Sequence, residues 1–393
     1  MARHFNTLII GCGPAGSACG ISLNKKGIEN CIVEKFTFPR VKLCAGLFTK
    51  KGQDCLLSLL DKDAYKAAMQ DSLMAREAIF ALHKGLDEFV SCDLTVPDNQ
   101  PKSVRNSDCR IVLVDRPKLD EFLARHYVAT GGTLIEGDSL VSIDFAQKTA
   151  FLRSGEQISY DHLVAADGAN SRTANLLAKH DHNFRNKPAN GLCLEINVDR
   201  ADLDVMGIHI HFDVVPRLYA WVFSKGEKVC IGLGKHPDTD IDAVATMRQF
   251  CEDLGVRNMD KYPIRGAMLP FGKVMAKPVW DKHLIFVGDA AGLVSPPTGE
   301  GIYFALKSGI YAAEAIAEGN PSAYNRKVTF LRRIIEQGQK YQELTESPGK
   351  MEYVYENAGA KHRFFSHFYL SQIEHPGLSP FWQVAMKYKI DRL

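Results

Sequence analysis

No C-x-x-C pair, no long apolar run, no repeat of fixed period and almost no net charge are found in the 393 residues, and each absence closes off a class. The ten cysteines, at 12, 19, 31, 44, 55, 92, 109, 193, 230 and 251, are scattered. Such spacing builds neither a zinc ribbon nor a disulfide scaffold, so no metal is expected, and reduced thiols in a cytoplasmic protein are. With 48 Lys and Arg against 46 Asp and Glu, the formal charge is +2, and there is no basic footprint for nucleic acid. No stretch approaches the ~20 apolar residues that cross a bilayer. The opening MARHFNTLIIGCGPAG runs from a short apolar stretch straight into glycines, without the longer apolar region and cleavage site of a signal peptide. Any membrane contact is therefore expected to be peripheral, on the inner face.

What is present is the balance of a folded globular chain, 46% hydrophobic and 24% charged. Its length exceeds the ~250 to 300 residues at which single cores stop growing, which predicts a main core with smaller lobes. Thr7 to Ile10 reads as a buried strand, Pro14 to Lys26 as a helix opened by glycines, and Cys31 to Glu34 as a second strand, together a βαβ unit. CRIVLV at 109 to 114 reads as a strand and Lys118 to Thr130 as a helix ended by Gly131-Gly132. A third apolar strand, His162 to Ala166, runs into Asp167-Gly168. From about Asn190 to Gly234 the period changes to two, predicting successive antiparallel strands. His283 to Val287 returns to a buried strand, followed by a glycine-rich turn and a helix from about Gly299 to Glu318; beyond Pro321 the pattern is helical.

Chemistry concentrates at three turns. Gly11-Cys12-Gly13-Pro14-Ala15-Gly16 joins the first strand to its helix, and Glu34 ends the next strand. In such a turn the first glycine makes the bend, the second admits a pyrophosphate to the backbone, and the third lets the helix pack on the strand. The helix N-terminus then faces the phosphates, and Glu34 is placed to accept from a ribose. Asp167-Gly168-Ala169-Asn170-Ser171-Arg172 ends one later strand, and Gly288-Asp289-Ala290-Ala291-Gly292, with Pro296-Pro297-Thr298-Gly299-Glu300-Gly301-Ile302, ends another. An N-cap on the Ala290 helix is the plain structural alternative for Asp289.

This trio resembles the flavoprotein group that includes aromatic hydroxylases, flavin halogenases and geranylgeranyl reductases. The resemblance runs from about residue 6 to about 320. It implies FAD as cofactor, with Gly11, Gly13, Ala15, Gly16, Glu34, Asp167, Gly168, Gly288, Asp289, Gly299, Gly301 and Ile302 holding it. Pro39-Arg40-Val41-Lys42-Leu43-Cys44-Ala45-Gly46 resembles the P-x-x-K-x-C-[GA]-G signature of geranylgeranyl reductases, and Tyr219-Ala220-Trp221-Val222-Phe223-Ser224-Lys225-Gly226 resembles their Y-x-W-x-F-P-K-G segment, with Ser224 in place of proline. By that resemblance Lys42, Cys44 and Ala45 lie at the flavin, Arg116 reaches its phosphates or ribityl, and Cys44, Tyr219 and Trp221 act on the substrate.

The residues also admit plainer readings. Tyr219, Trp221 and Phe223 alternate to one strand face, where they line an apolar channel or fill a gap between sheet and flavin domain. Cys44 is a packing group, a redox partner or a proton source. Arg116 has as its alternative a surface ion pair with Asp120. His209 and His211 share a strand face without an evident carboxylate or cysteine partner, so a satisfied pair is expected over a metal site. Lys361 to Leu393, basic with interspersed Phe364, Phe365, Phe368, Tyr369, Phe381 and Trp382, reads as an amphipathic cap or a membrane-facing surface.

The expected fold is α/β: a Rossmann-type FAD-binding domain over residues 1–175 with 265–320 returning to it, an antiparallel substrate sheet over 176–264, and a C-terminal helical cap over 321–393. The expected activity is FAD-dependent reduction of carbon-carbon double bonds in a prenyl or other lipid-like substrate. Because no second complete G-x-G-x-x-G is present, NADPH without its own Rossmann domain, or a reduced ferredoxin as partner, is the expected electron donor. An FAD monooxygenase acting on an aromatic or polyketide-like compound, and a non-catalytic flavin redox sensor or docking subunit, are the competing readings.

Overall fold

A computed structural model describes residues 3–76, 79–93, 111–184, 190–270, 274–296, 298–345, 348–361 and 364. Cys109, Pro297, Phe365, Phe368, Tyr369, Phe381 and Trp382 lie outside them.

Buried apolar runs with no polar alternation suit strands covered on both faces. Asn30–Glu34 and Leu284–Phe286 are buried throughout, and Arg3–Ile10 and Gln157–Ala165 end in buried apolar runs, Leu8 to Ile10 and Leu163 to Ala165. They form the centre of an eight-stranded sheet. Its parallel run is ordered Leu284–Phe286, Gln157–Ala165, Arg3–Ile10, Asn30–Glu34, Thr133–Glu136. Leu140–Asp144 and Thr149–Leu152 add antiparallel strands beside Gln157–Ala165. The helices Pro14–Asn24 and Ile302–Ala317 pack against one another at close range, which their small residues permit. A Cβ on Gly309 would stand 2.2 Å from the Ala15 carbonyl oxygen.

The period-two segments form a seven-stranded sheet, ordered Arg265–Pro270, Asn190–Asp199, Lys228–Lys235, Ala220–Lys225, Ile208–Phe212, Ile79–Lys84, Asp87–Asp93. Two of these strands come from within residues 1–175, and Arg265–Pro270 comes from within 265–320. The hairpin joins through a parallel pairing of Ile79–Lys84 with Ile208–Phe212, a contact between distant segments that leaves no local pattern. A three-stranded sheet, Leu47–Phe48, Val112–Val114 and Leu73–Arg76, lies beside them.

Alternation gives the seven-stranded sheet two apolar faces. Ile196, Val222, Ile231 and Leu233 pack with the helix Ala243–Asp253. On the other face Phe80, Ile210, Phe212 and Phe223 cluster with Met351, Val354, Tyr355 and Phe364 of the C-terminal helical segment. That segment also joins the main core through Tyr324, Val328, Leu331 and Ile335 of the helix Ala323–Thr345. Among the described residues no helix is long and apolar enough to cross a membrane.

Candidate cofactor and substrate site

Four neighbouring parallel strands end at the same edge, and each carries one of the acid or glycine turns there. Segments separated by more than two hundred residues in sequence therefore meet, as open α/β sheets arrange at their carboxyl ends. Gly11 has φ +99°, and a Cβ on it would lie 2.5 Å from the Ala166 carbonyl oxygen. A Cβ on Gly16 would lie 1.9 Å from the Gly11 oxygen, and one on Gly288 3.0 Å from the Ala15 Cβ. Backbone bonds stitch the turns together: Gly11 N–H donates to Val33 O at 2.8 Å, Ala166 N–H to Ile10 O at 2.9 Å, and Val287 N–H to Ala165 O at 3.0 Å. The Cys12 amide donates to Glu34 Oε2 at 2.9 Å, fixing the acid beside the first turn.

These turns surround a cavity of about 340 Å³. Gly11, Gly13, Ala15, Glu34, Lys42, Cys44, Arg116, Asp167, Gly168, Asp289, Gly299, Gly301 and Ile302 lie on its wall. Gly16 and Gly288 do not; they let backbones pack behind it. The helices Pro14–Asn24 and Ile302–Ala317 both begin at this wall, on Gly13 and Gly301, with no side chain capping their free N–H groups. Uncapped helix N-termini attract anions.

Arg116 is an ion-pair partner of Asp120, but a buried one. Its Nε and Nη2 donate to Asp120 Oδ1 at 3.1 and 3.0 Å, with the aspartate fully buried. Arg40 Nη2 completes the group at 3.2 Å from Asp120 Oδ2. The guanidinium of Arg40 also lies 3.6 Å from where a Gly13 Cβ would be, and 3.6 Å from Glu34 Oε2. Asp167 Oδ2 accepts from the Thr173 amide and hydroxyl at 2.8 and 3.0 Å, while Oδ1 is buried with no partner among the described residues. Burial pushes the Asp167 carboxyl up, against the pull of its Ser171 and Thr173 hydrogen bonds. Asp289 sits inside the short 3-10 turn Gly288–Ala291 and is not its N-cap, which is Val287.

A second cavity, of about 160 Å³, adjoins the first and shares with it Lys42, Leu43, Cys44, Leu269, Gly299, Gly301 and Ile302. Tyr219, Trp221 and Phe223 do lie on one face and line this space with Phe80, Ile210 and Leu218; Ala45 lines it too. The Tyr219 hydroxyl comes within 3.4 Å of the Cβ position of Gly299, and burial raises its pKa, so it stays protonated. Cys44 Sγ accepts from the Gly46 amide at 3.4 Å and interacts with the Arg116 guanidinium. Cys193, on the same cavity wall, is a thiol that burial pushes up to about 12.

Tethers that the sequence did not reveal hold this junction. Lys225 Nζ donates to Cys44 O at 3.4 Å, tying the Cys44 loop to the seven-stranded sheet. Glu300 accepts from Thr49 Oγ1 at 2.5 Å and pairs with Lys51 Nζ at 2.5 Å, both buried, which pins the Gly299–Gly301 turn. Arg40, within the Pro39–Gly46 segment, and Glu195 carried no sequence signal of their own, and Asp120 only that of a partner for Arg116. His209 and His211 are satisfied by carbonyls, Met206 O at 2.7 Å and Gly85 O at 2.7 Å. No group of metal ligands occurs among the described residues.

The residues fit an FAD. A nucleotide needs a Cβ-free approach at Gly13, helix N-termini and guanidinium groups for its phosphates, and buried acceptors for its hydroxyls, here Glu34 and the unpartnered Asp167 Oδ1. Comparison with known proteins agrees. The family model described as FAD binding domain matches residues 4–320. The chain is 28% identical over 344 residues to a chloroplastic geranylgeranyl diphosphate reductase of Arabidopsis thaliana, covering 81% of this chain and 67% of that protein. It is 25% identical over 348 residues to a menaquinone reductase of Mycolicibacterium smegmatis, covering 83% and 79%. A solved structure of a geranylgeranyl bacteriochlorophyll reductase-like protein from Thermoplasma acidophilum shares the fold with TM-score 0.71 at 18% identity, covering 93% of this chain and 96% of that one. The chain belongs to the FAD binding domain family of flavin-dependent oxidoreductases.

Proposed function

We propose that the protein adds hydrogen across carbon-carbon double bonds of a prenyl lipid. The observation that carries this reading is the shared wall: a cavity suited to FAD opens at Lys42–Cys44 and Gly299–Ile302 into an aromatic, apolar cavity. The names of two relatives, a geranylgeranyl diphosphate reductase and a menaquinone reductase, support a prenylated substrate. FAD when bound and reduced supplies the hydride that an unactivated alkene requires. The chain's part is to orient the alkene between Tyr219, Trp221 and Phe223, to keep water from the junction, and to bring a proton to the second carbon. Cys44, on the wall the two cavities share, is the candidate for that proton, its sulfur held by the Gly46 amide and Arg116. The electron donor in this reading is a reduced ferredoxin, or NADPH bound without a second Rossmann unit. The protein works in the cytoplasm, with peripheral contact to the membrane that holds its substrate.

An anaerobic assay tests it. The bound flavin is reduced, prenyl alcohols, prenyl diphosphates, quinones and aromatic acids are added separately, and flavin reoxidation is followed with product mass. A gain of two mass units with a prenyl compound is expected; a gain of sixteen, seen with an aromatic acid and only in air, overturns the reading in favour of a monooxygenase. Cys44→Ala should retain its flavin and lose about a hundredfold or more in prenyl turnover, measured by single-turnover reoxidation.

A further inference from the structure

The smaller cavity contains two polar groups that an isoprenoid chain would leave unanswered. Register sets Glu195 and Trp221 on either side of Gly232, one residue from each of three adjacent strands and all on one sheet face, and Glu195 and Trp221 line the cavity. The central glycine has a steric cause. A Cβ there would stand 2.1 Å from Trp221 Cζ2 and 2.3 Å from its Cε2, so the indole lies over bare backbone toward the Glu195 strand. Cys230 and Gly234, two residues to either side on the same strand, keep this floor low. Glu195 is 4% exposed; its Oε1 accepts from Asn197 Nδ2 at 3.0 Å, and no cation pairs with it among the described residues. The Trp221 Nε1–H is buried and meets only the Cys230 thiol, a weak acceptor, among the described residues. Glu195 interacts with the same thiol, so donor and acceptor, both on the cavity wall, come together beside Cys230 with only that weak partner between them.

Leaving such groups unmatched against a hydrocarbon is costly. A hydroxyl answers both at once, because it accepts at oxygen and donates its proton. We propose that Trp221 and Glu195 read an uncharged O–H at the polar end of the prenyl substrate, an alcohol or a quinol, with Trp221 donating to its oxygen and Glu195 accepting its proton. This rests on the prenyl-lipid reading and narrows it. A diphosphate in that position would set several negative charges against a buried carboxylate. The nearby cations stand elsewhere, since Lys225 does not line this cavity and Lys42 stands on the wall shared with the larger one.

The test is equilibrium binding to the FAD-loaded protein by calorimetry, with geranylgeraniol, its methyl ether, geranylgeranyl diphosphate and a prenylated hydroquinone. The alcohol or the hydroquinone should bind about tenfold or more tightly than the ether and the diphosphate. Trp221→Phe should bring alcohol and ether to within about threefold, and Glu195→Gln should improve diphosphate binding, both at unchanged flavin content. Equal binding of all four by the unaltered protein overturns the inference and leaves the prenyl reading standing, a comparison that depends on no variant. Binding of none of them overturns the prenyl reading itself.

Discussion

The two adjoining cavities are built in opposite ways. The larger one is made of backbone: turns at strand ends, two uncapped helix N-termini and glycines that allow close passage, with charge added by Arg40, Arg116 and Glu34. The smaller one is made of side chains that project from a sheet, and its shape depends on which residue faces which across three strands. Backbone construction suits a ligand that stays the same, such as a nucleotide, because the amide groups it uses survive most substitutions. Side-chain construction leaves the substrate end adjustable, since a single change on the sheet redraws it.

Adding one methyl group behind the wall of each cavity is the sharpest contrast. Gly16→Ala forces a Cβ to within 1.9 Å of a carbonyl oxygen, and neither the turn nor the helix can yield without opening the nucleotide end. A loss above about 4 kcal/mol in stability is expected, with colourless protein after gel filtration. A stable yellow variant would show that the turn is looser than its geometry. Asp120→Asn comes next, because it leaves the guanidinium groups of Arg40 and Arg116 buried without their shared carboxylate. Denaturant unfolding should register about 3 kcal/mol, together with weaker FAD retention.

Gly232→Ala makes the matching change beneath the smaller cavity, where the clash is with the Trp221 ring and with Leu194 O at 2.7 Å. About 1 to 3 kcal/mol of stability should be lost, the flavin should remain bound, and binding of a prenyl alcohol should weaken. Loss of the flavin instead would break the separation between the two cavities.

The smallest effect concerns the far face of the same sheet. Burial, with help from His83 and His209, lowers His211 to about 3, although its bond to Gly85 O works the other way. The unfolded chain therefore binds a proton at this site below about pH 6.5 that the folded chain refuses, so stability falls as the pH drops from there toward 3. His211→Asn keeps an N–H for the carbonyl and removes the titration. The slope of unfolding free energy against pH over this window should decrease by up to about 1.4 kcal/mol per pH unit, measured by urea unfolding at several acidic pH values; an unchanged slope would contradict it.

Much of the larger cavity was legible because its parts are local. A glycine turn after a buried strand and before a helix has its geometry set by the few residues that form it, and Gly11, Gly13, Glu34, Asp167 and Asp289 could be picked out on that ground. Arg40 could not, since its meeting with Asp120 depends on how separate segments pack. Arg116 shows the limit well. Its spacing to Asp120 was readable, but whether the pair lay at the surface or inside was not. The aromatic alternation at Tyr219, Trp221 and Phe223 was likewise visible, while the Gly232 floor beside it had no meaning before strand register was known.

The amino-acid order alone determined the turn chemistry, the periods of strand and helix, and which face of each strand is apolar, since these follow from the conformational preferences of a few consecutive residues. Only the folded chain decided that the hairpin at Ile79–Asp93 joins the distant sheet, that two arginines share one aspartate, and that an acid and an indole confront each other across a glycine. Those arrangements arise from pairing and burial between segments far apart in the chain, and no single segment carries a record of its partner.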